Sequence, residues 1–167
     1  LAPVAGEETY MLKLFYTLLI IIAPPVVTAH EYAQKNITVD HPWSKPTPPL
    51  SEYGVAYFNV SNSGQTDDLL LEIKIPYEIA KSASIHDVIH NGEMMRMREV
   101  TNGKQIPAGS TIKFQPGGSH IMLEGLTKPL KLDDKFTIEL VFAHAGNVPV
   151  EIWVEDAPQQ SDKHHNH

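Results

Sequence analysis

Two stretches near the C-terminal end do most to fix what this chain can become. Phe136, Ile138, Leu140 and Phe142 occupy every second position, and after Gly146-Asn147 the pattern resumes at Val148, Val150, Ile152 and Val154. A period of two gathers these side chains on one face of an extended strand, whereas an α-helix would scatter them around its axis. The two runs predict strands on either side of a turn at Gly146-Asn147. The same spacing recurs upstream, where Leu69, Leu71, Ile73 and Ile75 alternate until Pro76. Tyr53 to Val60 is an aromatic and β-branched run closed by the turn residues Ser61-Asn62-Ser63-Gly64. Ile37 to Val39, Ile85 to Ile89, Met94 to Val100, Thr111 to Phe114 and His120 to Leu123 complete the set. Pro42, Pro46, Pro48 and Pro49 predict an extended, irregular connection after the first of these. No stretch carries a helical period. Seven to nine short strands between turns predict an all-β fold, an antiparallel β-sandwich or barrel.

The ends of the chain read differently from its middle. Residues 1–10 have no structural pattern, but Met11-Leu12-Lys13 opens an apolar run from Leu14 to Val27 that closes on Val27-Thr28-Ala29. A basic start, a short apolar core and a small final residue predict a leader over residues 1–29 with a cleavable signal peptide, and hence an exported protein. Pro24-Pro25 breaks the run, which is too short for a comfortable transmembrane helix. Residues 30–155 then suffice for one β domain and are too few for two. Residues 156–167 are a polar tail holding His164, His165 and His167, expected to be flexible. The chain has no cysteine, so an exported domain of this kind rests on its core alone.

Composition also excludes functions. With 20 acidic against 13 basic residues, the net charge is −7, and no basic patch with interleaved aromatics is present, so no nucleic acid is expected as a partner. There is no thiol nucleophile, no serine in a nucleophile elbow and no glycine-rich phosphate loop, which predicts that the chain is not an enzyme of those kinds.

What remains is a concentration of soft donors. Four of the five methionines, Met94, Met95, Met97 and Met122, lie within the stretch from His86 to Met122. In a strand, His120 and Met122 project to one side while Ile121 and Leu123 point to the other. Met95 and Met97 share a face by the same parity, with Arg96 and Arg98 opposite. One edge thus offers an imidazole and a thioether together, a neighbouring segment offers a second thioether, and His86 can complete a set of four. Two imidazoles and two thioethers carry no charge and are soft, which suits Cu(I) rather than zinc, calcium or magnesium. Thioethers also avoid the disulfide chemistry that would consume thiols in an oxidising compartment, leaving only the slower hazard of sulfoxide formation.

His86 is followed after ten residues by Met97, and Met97 after twenty-two by His120-Ile121-Met122. This resembles the periplasmic copper chaperones of the PCu(A)C type, whose signature is a His, ten residues, a Met, roughly twenty-one residues, then His-x-Met. The second gap is one longer here, which an extra residue in the turn from Val100 to Gln105 would explain. Asp40-His41-Pro42-Trp43-Ser44, Ile106-Pro107-Ala108-Gly109, Pro116-Gly117-Gly118, Gly125-Leu126 and Pro129-Leu130 look like further family features, so the resemblance covers roughly residues 37–154.

The resemblance implies a cupredoxin-like β-barrel, one Cu(I) per chain held by His86, Met97, His120 and Met122, a periplasmic location and a monomer. It implies delivery to the copper-bearing subunit of cytochrome c oxidase, with a thiol-containing copper assembly protein as a further partner. Outside the four ligands, His90 reads as an exposed loop residue beside Asn91-Gly92, Met94 and Met95 as packing residues with Met95 the better spare donor, and His144 as a surface residue. A second, weak Cu(II) site would use His30 or the C-terminal histidines. Two other functions use the same chemistry. One is a copper redox enzyme in which His30, freed as the mature amino terminus, chelates through its amine and imidazole; the other is a copper-buffering or resistance protein.

Overall fold

The computed structural model describes residues 31–91 and 94–156, with the side chains of His90 and Asn91 left out. The expected leader, His30 and the tail histidines therefore lie outside the described residues. Eleven strands follow one another: β1 (Glu31–Gln34), β2 (Ile37–Ser44), β3 (Tyr53–Asn62), β4 (Asp68–Lys74), β5 (Ala80–Asn91), β6 (Met94–Glu99), β7 (Lys104–Ile106), β8 (Ser110–Phe114), β9 (His120–Leu126), β10 (Lys135–Phe142) and β11 (Gly146–Val154). The all-β expectation holds.

Hydrogen-bonded neighbours run in the order β6-β5-β9-β3-β2-β11-β10-β4-β7, with β1 added to β2 and β8 to β3. The pairings are antiparallel except for β11 and β2, which run parallel through Trp153↔Trp43 and Val154↔Ser44. The sheet is thus mixed rather than purely antiparallel. Strand β3 is its hinge. Its first half, Tyr53 to Ala56, pairs with β9, and its second half, Phe58 to Asn62, pairs with β8. The turn at Pro116-Gly117-Gly118 lets β8 and β9 follow one another along the same side of β3; Gly117 has a φ of +78°, a conformation that favours glycine.

Alternation explains the core. Phe136, Ile138, Leu140 and Phe142 are buried together with Val148, Val150, Ile152 and Val154 from the partner strand, while the intervening residues face outward. Ala56, Phe58, Val60, Ile85, Phe114, Ile121 and Leu123 bury the same face of the other half of the sheet, with the Phe58 and Phe114 rings 4.7 Å apart. Each large apolar side chain removed from water contributes roughly 1.5–3 kcal/mol, so one face of every central strand is committed to stability. The other face is left free for chemistry.

Several sequence expectations need correction. Strand β2 does not end before Pro42; its ladder to β3 skips between Asp40 and Trp43, with His41 at a φ of +49°, and then resumes. Pro42 falls at that irregularity, where its missing N–H is no loss to the ladder. Strand β5 is twelve residues long and begins at Ala80 rather than Ile85, because pairing with β9 imposes extension on Ala80-Lys81-Ser82-Ala83-Ser84 despite poor intrinsic strand preference. The C-terminal turn occupies residues 143–145, and Gly146 already belongs to β11.

Candidate metal centre

The four predicted ligands come from the three adjacent strands β6, β5 and β9. In the β5–β9 ladder His86 lies directly opposite His120 and Ser84 opposite Met122; in the β5–β6 ladder Val88 lies opposite Met97. Directly opposed residues share a face, and so do residues two apart, so His86, Met97, His120 and Met122 all project to one side. Ile85, Ile121 and Leu123, one position away, point to the core on the other. The sheet thus divides its labour by parity.

The His86 and His120 rings are stacked at 24° with centroids 5.7 Å apart. Met122 is the diagonal neighbour of His86 across the ladder, and Met97 is its diagonal neighbour on the other side. Diagonal pairs stand about 7–8 Å apart at the backbone, a gap that an unbranched thioether with three rotatable bonds can cross. The register therefore puts all four on one face, with His86 directly opposite His120 and diagonal to both methionines. Among the described residues, no group of three or more His, Asp or Glu side chains is placed to hold a metal.

Burial grades the four donors. His120 is only 6% exposed and Met122 is half-buried, but Met97 is 64% exposed on the outermost strand. Strand β9 lies inside the sheet between β5 and β3, not at an edge as the sequence suggested, which gives His120 and Met122 a fixed floor. His120 Nδ1 is 3.0 Å from the carbonyl oxygen of Gly118. A carbonyl only accepts, so Nδ1 carries the proton and Nε2 keeps its lone pair. His86 Nε2 is 3.0 Å from Ser84 Oγ, and its Nδ1 is buried with no protein partner.

Behind the two imidazoles, on the core-facing side of β5, a polar clamp holds the ladder closed at its last pair. The Asp87 carboxylate accepts hydrogen bonds from Lys104 Nζ at 2.7 and 2.8 Å and from Ser119 Oγ at 2.6 Å. Partial burial pushes the Asp87 carboxyl upward, but the hydrogen bonds from Lys104 and Ser119 outweigh it and hold the group below the usual range. Asp87 follows His86 in the chain and Ser119 precedes His120, so this contact ties the two histidine-bearing backbones together.

In front of the donors lies an apolar cleft of about 610 Å³. Val55, Tyr57, Val88, Met95, Met97, His120 and Met122 line it, together with Lys45, Pro46 and Tyr53. Tyr57, packed at 4.8 Å from the Trp43 ring, is nearly buried, and burial pushes its phenol upward so that it stays protonated.

Some residues do not behave as expected. Met94 and Met95 are 56% and 67% exposed and are not packing residues, because β6 has no strand on its outer side among the described residues. Met95 does share the face of Met97, opposite His90 in register. His41 contributes to no site; it pairs with Glu155 at 3.1 Å. His144 is exposed, as expected. Sequence reasoning missed Ser84, Glu124 and the Asp87 clamp. Ser84 and Glu124 lie two residues from His86 and Met122 respectively, so extending the parity argument by one step would have found them.

This geometry defines a cupredoxin-like β-sandwich with a His and Met donor face, and comparison with known proteins says which one. The family described as "Putative lipoprotein LpqE-like", which is the PCuAC family, matches residues 37–154, and the chain belongs to it. Similar solved structures include the copper-bound PCuAC domain from PmoF2, 26% identical with a TM-score of 0.64, covering 77% of this chain and 99% of that one. The apo PCuAC domain from PmoF1 is 28% identical with a TM-score of 0.62, covering 77% and 100%. The Cu(I) form of DR1885 from Deinococcus radiodurans, solved in solution, is 25% identical with a TM-score of 0.56, covering 77% and 81%. A protein of Leifsonia xyli subsp. xyli named as a putative lipoprotein is 35% identical over 101 residues, and the match spans 60% of either chain.

Proposed function

We propose that this protein is an exported copper chaperone that binds one Cu(I) through His86, Met97, His120 and Met122 and passes it on. The observation that carries this reading is the register: two separate ladders put His86, Met97, His120 and Met122 on one face of β6-β5-β9. An uncharged set of soft donors favours a monovalent over a divalent copper ion. The names of the similar structures, two of them copper-loaded, support copper as the cargo. The lipoprotein names of the family and of the Leifsonia relative support export.

A carrier must also let go. Met97 stands on the outer strand, mostly in solvent, and faces a cleft far larger than an ion, so an incoming ligand can displace that thioether first while the buried His120 holds the metal to the end. The chain's own residues bind, orient and release; no bond of a substrate is broken, which is the sense in which it is not an enzyme. The recipient we propose is the copper-bearing subunit of cytochrome c oxidase, with a thiol-bearing assembly protein as an intermediate holder. This rests on the family resemblance.

The test is the double variant Met97→Ile, Met122→Ile, titrated anaerobically with Cu(I) and followed by X-ray absorption. The copper–sulfur signal should vanish while circular dichroism keeps its β signature. Sulfur neighbours persisting around copper in that variant would overturn the ligand set.

A further inference from the structure

Ser84 and Glu124 share the donor face of the sheet, and neither is one of the four proposed ligands. Ser84 Oγ lies 3.0 Å from His86 Nε2 and 3.4 Å from Glu124 Oε1, and the other oxygen of Glu124 accepts from Ser82 Oγ at 3.3 Å. The contacts follow from register, since Ser84 opposes Met122 and Ser82 opposes Glu124 across the β5–β9 ladder.

The direction of this chain of hydrogen bonds is set at its far end. A carboxylate only accepts, and with the single hydroxyl proton of Ser84 donated to Glu124 the Ser84 lone pairs face His86. A lone pair can be met at 3.0 Å only by a donor, which makes Nε2 the protonated nitrogen of His86. Nδ1 is then the nitrogen with a lone pair, and it is the atom that is buried without a protein partner. Burying an acceptor with nothing to accept from costs roughly 1–3 kcal/mol, a cost that a Lewis acid at that position would remove. His120 has the reverse arrangement, with Nδ1–H donating to the Gly118 carbonyl.

We propose that Ser84, held by Glu124, is a positioning residue that fixes His86 in its Nε2–H form, so that the centre takes its metal through Nδ1 of His86 and Nε2 of His120. The assignment deepens the copper-chaperone reading and rests on it for the identity of the metal. Metal-bound imidazoles generally owe their tautomer and orientation to the partner of the second nitrogen, and loss of that partner typically lowers metal affinity about 10- to 100-fold.

The tautomers can be read without copper. Long-range ¹H–¹⁵N correlation of the imidazoles of the full chain, at a pH of about 8 where histidine is ordinarily neutral, should show His86 protonated at Nε2 and His120 at Nδ1. Ser84→Ala should leave His86 as a mixture of tautomers and weaken Cu(I) binding about 10- to 100-fold in competition with a chromophoric chelator. Ser84→Thr, which restores the hydroxyl, should recover both, and Glu124→Gln should shift the tautomer balance in the direction of Ser84→Ala. A purely structural role would move the melting temperature of the apo protein and leave the tautomer alone. His86 protonated at Nδ1 in the wild-type apo protein, or a Ser84→Ala variant with unchanged tautomer and affinity, would overturn the proposal and leave the copper reading standing. The expected tautomers in a wild-type chain that takes up no Cu(I) would do the opposite, supporting the positioning of His86 and overturning the chaperone.

Discussion

Met97 shows how loosely a proposed ligand of this kind would tie the fold to its function. Its thioether is largely in solvent, so replacing it opens no cavity, and isoleucine suits a strand. Met97→Ile should change the free energy of unfolding by no more than ~0.5 kcal/mol in a urea titration, although it removes a donor. A much larger loss would mean that the side chain holds the sheet rather than the cargo. Leu123 follows Met122 by one position, faces the core and is fully buried; Leu123→Ala should cost about 2–5 kcal/mol. That contrast of neighbours was legible in the sequence, because parity alone puts His120 and Met122 on one side and Ile121 and Leu123 on the other. What parity cannot supply is the partner across the ladder. That His86 meets His120, and that Asp87 meets Lys104 and Ser119 seventeen and thirty-two residues further on, depends on which strands pair and in what register.

At the scale of elements, the strands read correctly from sequence are those in which intrinsic preference and burial agree, as in β10 and β11. The ones missed lack such agreement. β7 is three residues long, β1 is mostly polar and exposed, and the first half of β5 is built from alanine, serine and lysine. Only β9 across the ladder makes that half of β5 a strand, and tertiary pairing is what single-sequence periodicity does not see. Between β7 and β8, the turn is pinned to the segment before β4 by Asp67, which accepts from the Ala108 amide at 2.9 Å and from Gln105 Nε2 at 2.7 Å. These bonds, the Ala108 amide first, hold the Asp67 carboxyl below its ordinary 3.8. A carboxyl lowered on folding adds stability above its unfolded pKa, and that contribution disappears as pH falls through the folded value. Acid titration of the melting temperature should therefore be shallower below about pH 4 for Asp67→Asn than for the parent, with a small difference because the group is exposed. Parallel curves would remove Asp67 from the account.

For the whole molecule, the division of the sheet into a core face and a donor face predicts that the fold does not need its metal. The residues that fill the core, from Ile37 to Val154, include none of the four proposed ligands, and on the other face the large buried apolar side chains are Trp43 and Tyr57, which are not among the four either. A carrier that unfolded on delivery would need refolding at each cycle, whereas a preformed face only exchanges ligands. Apo and loaded protein should share one β structure. Copper should still raise the melting temperature, because a ligand that binds only the native state stabilises it by mass action, about 2.7 kcal/mol at a free concentration of a hundred times Kd. The gain in protection should be local. Hydrogen exchange should slow around His86, across β6 and at the Gly117 to Met122 segment, where the outer strand has few buried contacts and the ligands join three strands into one unit. The β10–β11 hairpin lies on the far side of β3 and β2 in the sheet, is closed by its own buried residues, and should exchange at the same rate in both forms. Protection gained there to the same extent as at the donor face would mean that copper completes the folding of the domain, and the picture of a preformed carrier would fail.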